Sequence, residues 1–224
     1  MLTRYQIQGR LESFLRQIFQ SSCALCERPA QDELCSFCYR QLLQEHIELS
    51  SPSKPFFWGN YQGVLKRAIA KLKYDQRPRL GNLLGEELGL ACARNDVFPS
   101  SVRVVAIPLH CDRLKQRQYN QSEIIAKKFA SVLGVQYCPN GLIRHRSTPA
   151  LHSLAPQERE SNLDNAFSLG SLSQCNRKVP IVLVDDIYTT GATMREAKRI
   201  LRHHRFQIVG EVVVAKAISF SNRT

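Results

Sequence analysis

The chain has 224 residues, 43% of them hydrophobic and 22% charged, and a formal net charge of +12. That composition excludes a disordered polyelectrolyte and fits one ordinary globular domain with a small appendage. No apolar run reaches the ~20 residues that span a bilayer, and the N-terminal stretch, interrupted by Arg10, Glu12 and Arg16, has no signal-peptide core, so a cytoplasmic protein is expected.

Ile7, Leu11, Phe14, Leu15 and Ile18 recur at helical spacing and predict an amphipathic packing helix over residues 5–19. Cys23-x2-Cys26 and Cys35-x2-Cys38 follow. In a reducing compartment, eight cysteines point to thiolate or metal chemistry more than to a disulfide framework. Two such hooks can bring four thiolates round one tetrahedral Zn²⁺, a structural site because no coordination position stays open. The alternative is a redox dithiol, which needs one hook at a helix start within a βαβ unit. Phe37, Tyr39, Leu42, Leu43 and Ile47 predict a helix leaving the second hook. Residues 50–55 (SSPSKP) then break the pattern. Residues 1–50 are expected to form an N-terminal helix and zinc module, and residues 56–220 the main domain.

Phe56, Phe57, Trp58 and Tyr61 make an aromatic-dense strand, either core or a surface that stacks nucleobases. Val64, Leu65, Ala68, Ile69 and Leu72 mark a helix with Lys66, Arg67, Lys71 and Lys73 as its basic complement, and a second helix is predicted over 80–93. Residues 102–109 (VRVVAIPL) read as a buried strand. A basic loop, HCDRLKQRQYNQSE, leads from it to a helix over 122–133. Residues 136–143 read as a hairpin round Pro139-Asn140-Gly141. From 144 to 165 the pattern dissolves into a long polar segment carrying Arg144, Arg146 and Arg159. Cys92, Cys111, Cys138 and Cys175 read as ordinary buried or partly buried thiols.

The most informative run is 180–195, PIVLVDDIYTTGATMR. Ile181 to Val184 suit a strand buried on both faces of a parallel sheet. Asp185 and Asp186 follow, and Thr189, Thr190, Gly191, Ala192 and Thr193 turn into a helix. Loop N–H groups and a helix N-terminus favour an anion, while two carboxylates accept hydrogen bonds from vicinal hydroxyls or sit near a cation. Strand, acidic pair, loop and helix together point to a phosphorylated sugar; a bare Asp-Asp would be only a helix cap. On the helix, Arg195, Lys198, Arg199 and Arg202 share one face, a basic stripe suited to a polyanion such as DNA, although cations also suit a helix C-terminus. A last strand is predicted over 207–217.

The run VLVDDIYTTGAT resembles the phosphoribosyl pyrophosphate (PRPP) signature of type I phosphoribosyltransferases. The wider order of pieces is similar to the ComF family, also called GntX-like: the four cysteines, Tyr61-x-Gly63 leading to Leu72-Lys73-Tyr74, VVAIPLHCDRLKQRQYNQSE, RESNLDNAF and the PRPP-like run. Gln118 stands where that family commonly has glycine. The resemblance implies an α/β fold, a type I phosphoribosyltransferase-like parallel sheet flanked by helices with a small N-terminal zinc-binding module. It implies that Asp185 and Asp186 take the ribose hydroxyls and residues 189–193 the 5′-phosphate. His110, Arg113 and Arg117, with Lys115, would line a pyrophosphate loop, and the polar segment would close over PRPP as a flap. The implied role is in natural transformation, handling incoming single-stranded DNA in the cytoplasm beside other proteins of the uptake machinery, with structural zinc and with Mg²⁺ accompanying PRPP. The alternative is an active Mg²⁺-dependent transferase that moves phosphoribosyl from PRPP to a nitrogen acceptor and releases pyrophosphate.

Overall fold

The computed structural model describes residues 21–46, 55–145 and 166–217. The helix expected over 5–19, most of the break at 50–55, Arg146, Arg159 and nearly all of the polar segment lie outside the described residues. In chain order the elements are β1 (Ser21–Ser22), β2 (Pro29–Ala30), α1 (Ser36–Gln44), β3 (Phe56–Asn60), α2 (Gly63–Tyr74), α3 (Pro78–Arg94), β4 (Arg103–Ala106), α4 (Cys111–Arg117), α5 (Gln121–Leu133), β5 (Gln136–Tyr137), β6 (Leu142–Arg144), β7 (Phe167–Leu169), β8 (Ile181–Tyr188), α6 (Ala192–His203) and β9 (Ile208–Lys216).

Five strands form one sheet in the order β3-β9-β8-β4-β5, every neighbouring pair parallel. Helices cover both faces, which is why the central strands are unbroken apolar runs. Along β8 the side chains alternate. Val182 and Val184 enter one core with Leu65, Leu72, Leu84, Ile125 and Phe129, and Ile181 and Leu183 enter the other with Met194, Ala197 and Leu201. The connection β4-α5-β5 runs one way across the sheet and β8-α6-β9 the other. The order therefore reverses between β4 and β8, and at such a switch point the carboxyl ends of two strands open a crevice where ligands bind.

The α/β parallel sheet with flanking helices matches the sequence expectation. Three local readings are corrected. Residues 136–143 do not form a hairpin: β5 joins β4 in the main sheet, whereas β6 pairs antiparallel with β7. The basic loop after β4 contains a short helix, α4. The strand read as ending at Val184 continues through the acidic pair to Tyr188, because β9 stays paired with it to Lys216. Of the aromatic run, Phe56 and Trp58 are buried, as the core reading required.

The N-terminal module is docked onto this domain. Cys23, Ala24, Ala30, Leu34, Cys38 and Leu42 belong to the same core as Trp58, Leu65 and Leu72. His46 meets the Trp58 ring edge-on at 5.4 Å between centroids. Glu45 Oε1 accepts the Val64 N–H at 3.1 Å, so a module residue caps the first turn of α2, which has no side-chain cap of its own. Gly63 makes the approach possible. Its φ is +48°, and a Cβ there would stand 2.0 Å from Glu45 Oε1.

Candidate functional site

Asp185 and Asp186 lie at the carboxyl end of β8, at the switch point. Asp185 Oδ1 accepts from Ser122 Oγ at 2.7 Å and from the Asp186 N–H at 2.8 Å. Burial pushes its carboxyl up to about 7, and the neighbouring Asp186 charge adds to the rise; Ser122, the Asp186 N–H and Lys73 oppose it. Asp186 is buried and faces the Lys73 ammonium, 2.5 Å from Oδ2. Lys73 comes from the last turn of α2 and Ser122 from the first turn of α5, so three elements converge on the pair. Beside Ser122, Gln121 is buried with no hydrogen-bond partner for its side-chain oxygen.

After β8 the chain makes a tight turn into α6. Gly191 is the N-cap at φ +73°, and a Cβ on it would strike the Tyr188 hydroxyl at 2.1 Å. Tyr188 is held edge-on against Phe57, with centroids 5.2 Å apart. Among the described residues no side chain caps α6 from its N-cap position, and its first turn holds no acid. Thr189 and Thr190 are exposed, and the Thr190 hydroxyl reaches the Ala192 N–H at 3.4 Å. The N-terminus of this 12-residue helix, with only a long contact from Thr190 on its first N–H and a hydroxyl-lined loop before it, favours an anion.

The loop after β4 forms the opposite wall. Asn120 fixes it: Nδ2 donates to the Ile107 carbonyl at 3.0 Å and Oδ1 accepts the Ser122 N–H at 3.1 Å. His110 caps α4 by accepting the Asp112 N–H on Nδ1, and its Nε2–H donates to the His145 carbonyl at 3.2 Å. His110, Cys111 and Asp112 place their donor atoms within 4.8 Å of one another. Cys111 is exposed, not buried as expected, while Cys92 and Cys138 are buried. The Arg144 guanidinium, which lies over the Phe167 ring at 5.4 Å, is held below the usual arginine range by burial; Arg113 adds repulsion and Asp185 opposes it. Arg117 instead lies over the Tyr74 ring at 5.2 Å. Gln118 closes α4 at φ +65°, a left-handed conformation that accounts for the glycine common at this position in the family the sequence resembles. Gln118→Gly is expected to stabilise the chain by about 1 kcal/mol, read as a higher denaturation midpoint at unchanged m-value. A midpoint at or below the wild-type value contradicts this account of the turn.

The four module cysteines converge as the spacing required. Their sulfurs lie within 4.8 Å of one another, and Cys26 Sγ and Cys35 Sγ are 3.6 Å apart. That is far from a disulfide bond of about 2.05 Å. It is close to the edge of about 3.8 Å for a tetrahedron of thiolates round zinc. Burial pushes the Cys23 thiol up, but backbone N–H groups of Cys35, Leu25 and Cys26 outweigh it and bring the thiol down to about 6. This donor set can hold a metal ion such as zinc.

The stripe on α6 has partners. Arg195 Nη1 donates to the Thr190 carbonyl at 2.7 Å. Lys198 is paired with Glu211, and Arg199 grips Glu196 with Nε and Nη2 at 2.7 and 2.8 Å. Arg202 is exposed. Two of the four charges are thus met by carboxylates.

No family model matches the chain. Individual proteins do. A DNA utilization protein YhgH of Salmonella typhi is 30% identical over 207 residues, covering 80% of this chain and 89% of its own. Competence protein F of Haemophilus influenzae is 26% identical over 214 residues, covering 84% and 93%. Competence protein ComFC of Bacillus subtilis is 24% identical over 201 residues, covering 84% and 75%.

Proposed function

This chain belongs to the ComF family of competence and DNA-utilization proteins, and from that premise we propose that it binds PRPP, or a closely related phosphosugar, in the service of DNA uptake and use. The observation that carries the reading is the crevice at the switch point. In this reading the acidic pair on β8, the helix N-terminus behind it and the guanidiniums of Arg113 and Arg144 act together on one ligand, supported by the charges of Arg113 and Asp185 that act on Arg144. In this reading Asp185 and Asp186 take the ribose hydroxyls, with Lys73 holding Asp186 in place. Thr189, Thr190, Gly191, Ala192 and Thr193 surround the 5′-phosphate. His110 and Arg113 reach toward the pyrophosphate, whose charge Mg²⁺ would help to neutralise when bound. The buried, unpartnered oxygen of Gln121 beside Ser122 supports the fit, since such an atom is costly unless a ligand or solvent donor reaches it.

The chain further uses its positive surface to hold single-stranded DNA in the cytoplasm, its four cysteines carry structural zinc, and other uptake proteins are its partners. Support for the DNA reading comes from the relatives' names and from the net charge of +12. No described helix is long and apolar enough to cross a membrane.

Calorimetry with PRPP and Mg²⁺ tests the central claim. Wild-type protein is expected to bind, and Asp185→Ala/Asp186→Ala to bind about hundredfold more weakly or not at all, since each acid contributes charge-assisted hydrogen bonds. Equal affinity in the two proteins overturns the site.

A further inference from the structure

Tyr74 is unlike the other large side chains described here. It is 72% exposed, more than Phe37 at 46%, Leu43 at 38%, Leu114 at 42% or Ile143 at 43%. It nevertheless has a partner, the Arg117 guanidinium over its ring at 5.2 Å. Arg28 lies in the same way over Phe37, which is less exposed than Tyr74, whereas Arg144 over Phe167 and Arg177 over Phe206 cover rings only 3% exposed at the edge of the core. There the contact finishes a packed surface. At Tyr74 it leaves most of the ring in solvent, with a face free to meet a ligand.

The surroundings are basic. Residues 71–79 and 111–117 hold seven cations (Lys71, Lys73, Arg77, Arg79, Arg113, Lys115 and Arg117) against two acids, Asp75 and Asp112. Asp75 is already paired with Lys71 at 2.6 Å. The two segments abut, since besides the Arg117–Tyr74 contact the Tyr119 hydroxyl donates to the Leu72 carbonyl. Tyr74 directly follows Lys73, whose ammonium enters the phosphosugar site. An exposed ring backed by a guanidinium, in a field of cations, is the arrangement that holds an unpaired base by stacking and its phosphates by charge. Carboxylates meet three of these seven cations, Lys71 by Asp75, Lys73 by Asp186 and Arg77 by Glu33, which leaves Arg79, Arg113, Lys115 and Arg117 around the ring. The stripe on α6, with two of its charges met by Glu196 and Glu211, keeps Arg195 and Arg202 and is the poorer track.

We infer that Tyr74 and Arg117 form a stacking platform for a base of single-stranded DNA, at the mouth of the phosphosugar crevice, and that the strand runs over this surface and not along α6. This rests on the reading that the protein holds single-stranded DNA. A stacked base must be free of its complement, so single strands should bind better than a duplex of equal length.

Polarisation of a short labelled oligo(dT), titrated across a salt series, tests the inference. Tyr74→Ala is expected to weaken binding about five- to hundredfold without changing the salt slope, and Tyr74→Phe to retain wild-type affinity. Arg117→Gln should weaken binding and reduce the slope by about 0.7, the contribution of one phosphate contact on a single strand. An abasic oligonucleotide should bind wild type and Tyr74→Ala alike, and Tyr74→Ala should keep wild-type PRPP affinity. If wild type binds oligonucleotide but Tyr74→Ala binds it equally well, the platform is wrong while the DNA reading stands. Loss of binding in Arg195→Gln/Arg202→Gln would then place the strand on α6. If wild type binds no oligonucleotide at low salt, the DNA reading falls and the platform with it.

Discussion

Stripping the metal from the four cysteines is expected to unfold residues 21–46 and to weaken phosphosugar binding at the same time. Purified protein should carry one equivalent of zinc. Removing it with a chelator, or replacing Cys35 by serine, should cost on the order of 10 kcal/mol of local stability, the scale on which such sites fold small modules. Regular secondary structure within residues 21–46 is too short to hold them by itself. Their strands β1 and β2 are two residues each, and α1 is only nine residues long. The effect should spread along a physical path. Leu42 and Cys38 lie in the core shared with Trp58 and Leu65, and Glu45 caps the first turn of α2. Lys73, at the other end of that helix, holds Asp186. Metal-free protein should therefore lose a near-ultraviolet circular dichroism signal from Trp58 and bind PRPP several-fold more weakly. Unaltered PRPP affinity in metal-free protein would show that the module folds without bearing on the site.

That path also explains what the sequence could and could not reveal. The strand Ile181–Tyr188 and the two cysteine hooks are local patterns, a buried apolar run and a fixed spacing, so they were legible without tertiary information. Lys73 was not. In sequence it is one of four cations on an amphipathic helix, and only the fold sets it against Asp186. Ser122 was hidden in the same way, as the second residue of a helix recognised by its apolar face. The hairpin expected over 136–143 failed because the turn residues are local while the partner of β5 is β4, 33 residues earlier at Arg103 and Gln136. Helical spacing sets Arg195, Lys198, Arg199 and Arg202 on one face of α6, but it could not show that Glu211, on the next strand, meets Lys198. The glycine spacing of α3 is also readable in the sequence. Gly81, Gly85 and Gly89 recur every four residues on α3, and a Cβ at Gly85 would come within 2.5 Å of the Ile125 carbonyl oxygen. Those glycines let α3 lie against α5, the helix that brings Ser122 to the acidic pair.

Asp185→Asn is expected to stabilise the unliganded protein above pH 7 while impairing ligand binding. The wild-type carboxyl is raised from 3.8 to about 7, first by burial and then by Asp186. Between those values the folded state holds a proton that the unfolded chain has released. Stability is therefore expected to fall as the pH rises from about 4 to about 7 and to level off above. Asparagine keeps an acceptor for Ser122 Oγ and the Asp186 N–H but cannot ionise, so the variant should show no such decline from this position. Its advantage in denaturant should be greatest at pH 8 and vanish near pH 4. In the proposed reading the ligand needs that same charge. Ribose hydroxyls donating to Asp185 favour its ionised form, so PRPP binding near pH 6.5 should release a proton. Calorimetry in buffers of different ionisation enthalpy would detect that release in wild type and find it missing in Asp185→Asn. If both results hold, the residue is set against the empty crevice and in favour of the occupied one, a site shaped for its ligand at some cost to stability. Parallel pH–stability curves for the two proteins would refute the raised carboxyl, and a proton release that survives the substitution would move the linkage to another group.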